Sequence, residues 1–322
     1  MGSAAAAAKL LSLSPAQCVH ALAIAASYAG APMANAATQT KPLHIGNTAR
    51  RGLEAAQMAW LGLEGNPAIL DLETGFGVFY TDYSPKELVG ATMGGFRWLL
   101  EDQDVAIKRF PAHLGMHWVV DAALAALAKL NAAGGQTGRE GLEPSKIRRV
   151  TLRVPPSRYV DRAFPATEHQ ARHSFQFNAC SALLDNQVTV DSFSTAQIER
   201  PLLKELLARV RVENPQDNHP SFDRMYCEVV IETEQGESYG ARCNTFYGHW
   251  RKPLDQKDLE SKFRANASSV LPQEGVEGVL DLIGNIESQP DCSVLGSYLQ
   301  VSSSRSIVRE LESIPLTKVN RH

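Results

Sequence analysis

The sequence predicts a mostly α-helical protein with an inserted α+β domain. Three observations carry that prediction. Helical spacing of small apolar residues fills the first hundred positions, strict alternation appears at Val150, Leu152 and Val154, and a helical pattern returns from Asp255. Read in order, these give a helical segment over 1–103, an α+β domain over 104–245 and a second helical segment over 246–322.

The elements follow from local chemistry. Ala4 to Ala8 form a strong helix former at the very start of the chain. A terminus this rich in alanine is expected to be an interior helix with neighbours upstream of it. Ser14-Pro15 supplies an N-cap with proline at the first helical position, predicting a helix to about Gly30. Ala49, Leu53, Ala56 and Trp60 fall at helical spacing in a helix expected to start near Asn47 and end near Gly65.

Beyond Lys108 the spacing predicts a helix over 113–130 and a glycine-rich linker from Gly134 to Gly141. The strand at Val150 to Val154 follows, its outward positions filled by Thr151 and Arg153. Helices are expected over 168–184 and 194–209. Strands over 225–233 and 237–243 flank the turn Glu234-Gln235-Gly236. Asp255 is the N-cap of the returning helices, and the tail after Leu299 reads as partly disordered.

Composition bounds the function. The 322 residues carry a formal charge of −3, which argues against a nucleic-acid or anionic-membrane surface, so any basic site must be local. No stretch of about 20 apolar residues suggests a membrane span. The five cysteines are scattered without a CxxC, which favours free thiols over a disulfide framework or zinc site.

Two short runs stand out against this background. Thr38 to Asn47 contains Lys41 beside Pro42, and Lys108-Arg109-Phe110-Pro111-Ala112-His113 contains a second lysine near proline. Each lysine is expected in a turn or irregular segment next to close-packed helices. A lysine held where helices converge suits an anion, and a helix starting near Asn47 would aim its N-terminal dipole at Lys41.

Other motifs have plainer readings. Gly236-Glu237-Ser238-Tyr239-Gly240 fits the GxSxG pattern, but it falls on a hairpin rather than a strand-to-helix elbow. His113 and His117 stand four apart, yet Leu114 occupies the position where a zinc protease carries glutamate.

At Thr38 to Arg51, Lys108 to His113, Arg172-His173-Ser174-Phe175-Gln176, and Phe246-Tyr247-Gly248-His249-Trp250-Arg251-Lys252-Pro253, the sequence resembles the MmgE/PrpD family. Within that family it resembles the branch that decarboxylates cis-aconitate to itaconate. The resemblance implies a large helical domain with a smaller α+β lid, a homodimer, no cofactor or metal, and mitochondrial localisation, although the chain shows no targeting signal.

It also implies that Lys41, Lys108, His113 and Tyr159 line the active site. Fixed cations would hold a tricarboxylate at Lys41 and Lys108, Tyr159 would donate a hydrogen bond from the lid, and His113 is the candidate acid. A dehydratase acting on 2-methylcitrate is the competing expectation, and an inactive dimerisation partner the third. Relatives carry a further stretch upstream that supplies more of the pocket, so helix faces near the N-terminus are expected to lack packing partners.

Overall fold

The computed structural model describes residues 1–35, 38, 40–80, 83, 105–134, 141–291 and 293–299. The expected linker core at 135–140 and the tail from 300 lie outside the described residues.

Helices α1 (Gly2–Leu10), α2 (Pro15–Ala26) and α3 (Thr40–Trp60) pack on one another. Ser14 caps α2 with a full capping box, its side chain accepting from the Gln17 N–H while Gln17 reaches back to the Ser14 N–H. Their shared core is almost all alanine: Ala4, Ala7, Ala8, Ala21, Ala25, Ala55, Ala56 and Ala59, with Ile24. Such small side chains let the axes approach closely. A Cβ on Gly52 of α3 would lie 2.7 Å from the Ala4 backbone nitrogen. On its other sides α3 exposes Leu43, Ile45, Leu53 and Trp60.

A separate and larger core forms around α4 (Met116–Ala133). It packs on a four-stranded sheet and on α6 (Phe175–Asp185), which follows the short α5 (Glu168–Arg172). The sheet comprises β1 (Ile147–Arg153), β2 (Val210–Glu213), β3 (Cys227–Thr233) and β4 (Ser238–Cys243), in the order β2-β1-β3-β4. β2 runs parallel to β1, whereas β1–β3 and β3–β4 are antiparallel. Trp118, Phe175, Phe177, Leu152 and Phe246 are fully buried between helix and sheet, each such side chain contributing about 1.5–3 kcal/mol.

Helices α7 (Thr195–Glu199) and α8 (Pro201–Leu207) precede β2. Helices α9 (Gln256–Ala267), α10 (Gln273–Gly284) and α11 (Leu295–Tyr298) close the described chain. The Asp255 side chain accepts from the Asp258 N–H at 2.7 Å, as expected of an N-cap.

The described chain is thus mostly helical with a small mixed sheet, and several local expectations are corrected. The helix bearing Lys41 begins at Thr40 rather than near Asn47. Thr38 starts it by accepting the Thr40 N–H on its hydroxyl and the Lys41 N–H on its carbonyl, and proline is tolerated in a first turn whose N–H groups lack helical partners. Helix 168–184 is broken at His173-Ser174, where Ser174 caps α6. Helix 194–209 is two short helices, split at Arg200-Pro201. β2 follows as an edge strand that the sequence did not predict, and Thr151 of β1, expected to point outward, is buried.

Gly46 and Gly52 test this packing together. A Cβ on Gly46 meets nothing within 4 Å, whereas one on Gly52 collides with α1. Gly46→Ala should therefore raise stability by about 0.5–1 kcal/mol. Gly52→Val should lower it by about 1–3 kcal/mol or more through overpacking. Thermal melting of both variants reads the opposite signs, and equal shifts would contradict the close α1–α3 contact.

Candidate active site

The segment leading to Lys108 is held from below by backbone. The Ile107 N–H donates to the Gly248 carbonyl at 2.8 Å, and the Gly248 N–H donates to the Lys252 carbonyl at 2.8 Å. Gly248 has φ +110°, and a Cβ there would lie 2.3 Å from the Ile107 oxygen, so a side chain is excluded on both counts. The next residue turns inward. Arg109 pairs with Asp121, whose other oxygen accepts the Tyr247 N–H at 2.7 Å, and its guanidinium lies 4.4 Å from the Phe110 ring centre. Arg109 is committed to that pair, and Lys108 beside it is only partly buried.

His113 is placed by two further bonds. Its N–H donates to the Arg172 carbonyl at 2.9 Å, and the Arg172 guanidinium returns a bond to the Pro111 carbonyl. Its ring Nδ1 accepts the Gly115 N–H at 3.2 Å. An accepting Nδ1 makes the neutral ring an Nε2–H tautomer.

The run from Arg172 to Gln176 assembles the rest. Ser174 accepts the Phe177 N–H and donates to the Arg162 carbonyl at 2.6 Å. Gln176 accepts the Arg162 N–H at 3.2 Å and donates to Asp161, while the Phe175 N–H donates to the Val160 carbonyl at 3.1 Å. These bonds fix the loop carrying Tyr159. His173 lies between the two helices, and its Nδ1 donates to the His169 carbonyl at 2.8 Å.

Three rings consequently meet. The ring centres of His113 and His173 are 5.2 Å apart, and Tyr159 lies 5.7 Å from the first and 5.2 Å from the second. His169 stacks at a tilt 4.5 Å from His173, with its Nε2 buried and unpartnered among the described residues. Phe222 borders His113 at 6.3 Å and stacks on Trp118 at 5.8 Å.

Positive charge surrounds this cluster. Burial lowers the Lys108 pKa, and the charges of Lys41, Lys262 and Arg172 lower it further. Burial, then His173, Lys108 and Lys41, push His113 down to about 4. His173 and His169 are lowered by burial first, and Lys41 contributes to both. Burial raises the Tyr159 hydroxyl against the opposing effect of Arg162. Lys41, from the first core, thus acts electrostatically on Lys108 and His113, from the second.

The structure therefore brings the four expected residues, Lys41, Lys108, His113 and Tyr159, into one neighbourhood. It adds His173, His169 and Lys262, which the sequence reading did not single out individually. His173 lay within a run already noted, but its place depends on the helix break at Ser174. His117 does not join them. It is fully buried, its Nε2 accepting the Phe110 N–H at 3.2 Å and its Nδ1 donating to the Leu114 carbonyl at 3.0 Å. A cavity of about 520 Å³ lies elsewhere along α3 beside Tyr28, His44 and Arg51. It contains none of the clustered rings. No group of three or more His, Cys, Asp or Glu among the described residues is arranged to hold a metal ion.

Cationic side chains acting on a cluster of imidazoles beside a tyrosine mark a candidate site for an anionic small molecule. Residues 1–89 match the MmgE/PrpD N-terminal domain and residues 110–287 the MmgE/PrpD C-terminal domain; the chain belongs to the MmgE/PrpD family. It is 55% identical over 300 residues to the cis-aconitate decarboxylase of Homo sapiens, covering 93% of this chain and 61% of that protein. It is 52% identical over 315 residues to the Mus musculus enzyme of the same name, covering 98% and 63%. The chain thus spans about three-fifths of the length of these curated relatives.

Two measurements test the geometry. His113 and His117 have folded pKa values of about 4 against an ordinary 6.5. The unfolded chain therefore binds more protons in that window, and stability rises with pH across it. Their contribution is complete above about 6.5 and lost as pH falls toward 4, on the order of a few kcal/mol for the pair. Melting temperatures between pH 7 and 4.5 should fall, and His113→Gln should make the fall shallower; an unchanged slope would place His113 in solvent. Gly248→Ala should both lower the melting temperature and weaken anion binding, because the Ile107 contact that sets Lys108 is lost. Full anion affinity in a folded Gly248→Ala protein would contradict that role.

Proposed function

We propose that this chain carries out cis-aconitate decarboxylation, forming itaconate and carbon dioxide. The observation that supports this most is that Lys41 and Lys108 act on His113, Lys41 and Arg162 act on His173, and Lys262 adds its charge at Lys108, in a protein of net charge −3. Such a density of cations is unfavourable unless an anion neutralises it, and a tricarboxylate does so with one molecule. The family membership and the identity to two cis-aconitate decarboxylases support the same reading.

Loss of carbon dioxide from the methylene arm sends its bonding pair into a new double bond. The former double-bond pair moves to the vinylic carbon, and negative charge spreads into its carboxylate. Ammonium groups fixed at Lys41 and Lys108 stabilise that charge as it develops. Tyr159 donates a hydrogen bond, and an imidazole of the His113–His173 pair supplies the proton to carbon. The helical and α+β parts serve as body and lid in a homodimer, with residues 1–103 and 246–322 forming the body and 104–245 the lid. The working compartment is the mitochondrion.

Incubation with cis-aconitate and, separately, 2-methylcitrate tests the reaction, with proton NMR following the products. Itaconate should form from cis-aconitate, and Lys108→Gln should lower kcat/KM by about 10²-fold or more through lost charge stabilisation. Water loss from 2-methylcitrate without itaconate formation would make the chain a dehydratase. Neither turnover nor a melting shift with either acid would make it an inactive family member.

A further inference from the structure

Decarboxylation with an allylic shift takes up one proton at carbon. A neutral imidazole cannot deliver it without becoming an imidazolate, so the donor must be an imidazolium when the step occurs. The two central histidines differ in their ability to reach that state. His113 accepts the Gly115 N–H on Nδ1, so a proton on that nitrogen would face another N–H and break the bond. His173 donates from Nδ1 to the His169 carbonyl at 2.8 Å, which leaves Nε2 with a bare lone pair. Protonation of Nε2 retains that bond and makes its donor charged, hence stronger.

Resting on the cis-aconitate reading, we infer that His173 is the catalytic acid that protonates the substrate carbon, and that His113 remains a neutral Nε2–H donor to a substrate carboxylate. The two ring centres are 5.2 Å apart, and Tyr159 contacts both rings. Both rings bond through Nδ1, and neither Nε2 is among the buried, unpartnered atoms of the described residues, so both are open to a molecule beside the pair. In the step, the carbon–carboxylate bond breaks and carbon dioxide leaves. The His173 Nε2–H proton forms the new C–H bond at the former vinylic carbon, and His173 becomes neutral. Solvent water returns one proton to Nε2 before the next turnover, which matches the net uptake of one proton.

The charges facing His173 explain why substrate would arm it. Burial and the nearby His169, Arg162 and Lys41 hold its pKa below the ordinary value, and the His169 carbonyl opposes them. The nearby carboxylate of Glu168 is occupied by Arg172 at 2.6 Å. Three substrate carboxylates reverse the local sign and favour the imidazolium. His169 positions His173 through its backbone oxygen.

Nitrogen NMR of the 15N-labelled protein reads the protonation state directly. Tricarballylate, the saturated tricarboxylate that cannot undergo the step, is the probe. With it bound near pH 7, His173 should carry protons on both nitrogens and His113 on one. A doubly protonated His113 beside a singly protonated His173 would overturn the assignment. In kinetics with cis-aconitate, His173→Gln should lower kcat by about 10²-fold or more with KM changed by less than about threefold. Added imidazole should restore part of the rate in His173→Gly. His113→Gln should act chiefly on KM. Wild-type turnover with His173→Gln retaining kcat within about threefold would sink the His173 role alone. A wild-type protein that neither binds tricarballylate nor forms itaconate would sink the substrate reading and this role with it.

Discussion

The pocket depends on one short junction, the five residues from Arg172 to Gln176. Ser174 ends the preceding helix and starts the next, so the chain changes direction there. Each neighbour then anchors a different segment: Arg172 holds the Pro111–His113 segment, Ser174 and Gln176 hold Arg162, and Phe175 seats its ring in the main core. Removing any one of these bonds would leave a buried polar group without a partner, at a cost of about 1–3 kcal/mol. The positions of His113, His173 and Tyr159 are therefore set by the same bonds that stabilise the fold.

Against that rigid frame the electrostatics are unfavourable in isolation. Burial penalises the charged forms of Lys108 and three histidines, and neighbouring cations add to the penalty. A sequence selected for stability alone would place carboxylates among these groups. The carboxylates nearby are instead committed, Asp121 to Arg109 and Glu168 to Arg172. The neighbourhood is left short of negative charge, which is the condition for binding an anion strongly.

Much of the fold was legible in the sequence because local chemistry decides it. The Ser14 cap, the Asp255 cap, the Gly236 turn and the alternation in β3 are all short-range signals. What escaped depends on distant partners. β2 is four residues long and parallel to β1, so its pairing is invisible in its own pattern and no strand was expected there. The early start of α3 turns on Thr38 and on the tolerance of a first turn for Pro42, where a Lys-Pro pair suggested a loop. Lys41, Lys108, His113 and Tyr159 were named from family resemblance, and the structure groups them. The directions of the imidazole hydrogen bonds were not legible, because they are set by the Gly115 and His169 backbones in three dimensions.

Lys41 and Lys108 also belong to different hydrophobic bodies. Lys41 rides on α3, packed in the alanine-rich core, and Lys108 leads into the core around α4. The first body is built from side chains so small that close approach, rather than large apolar area, must hold it together. Lys41 stands moreover in the first turn of α3, the positive end of the helix dipole, where a cation is disfavoured by a few tenths of a kcal/mol to about 1 kcal/mol. An anion held by Lys41 and Lys108 together relieves that repulsion and ties the two bodies to each other. On the proposed reading, the substrate is both the molecule transformed and the counter-charge that completes the packing of the pocket's two sides.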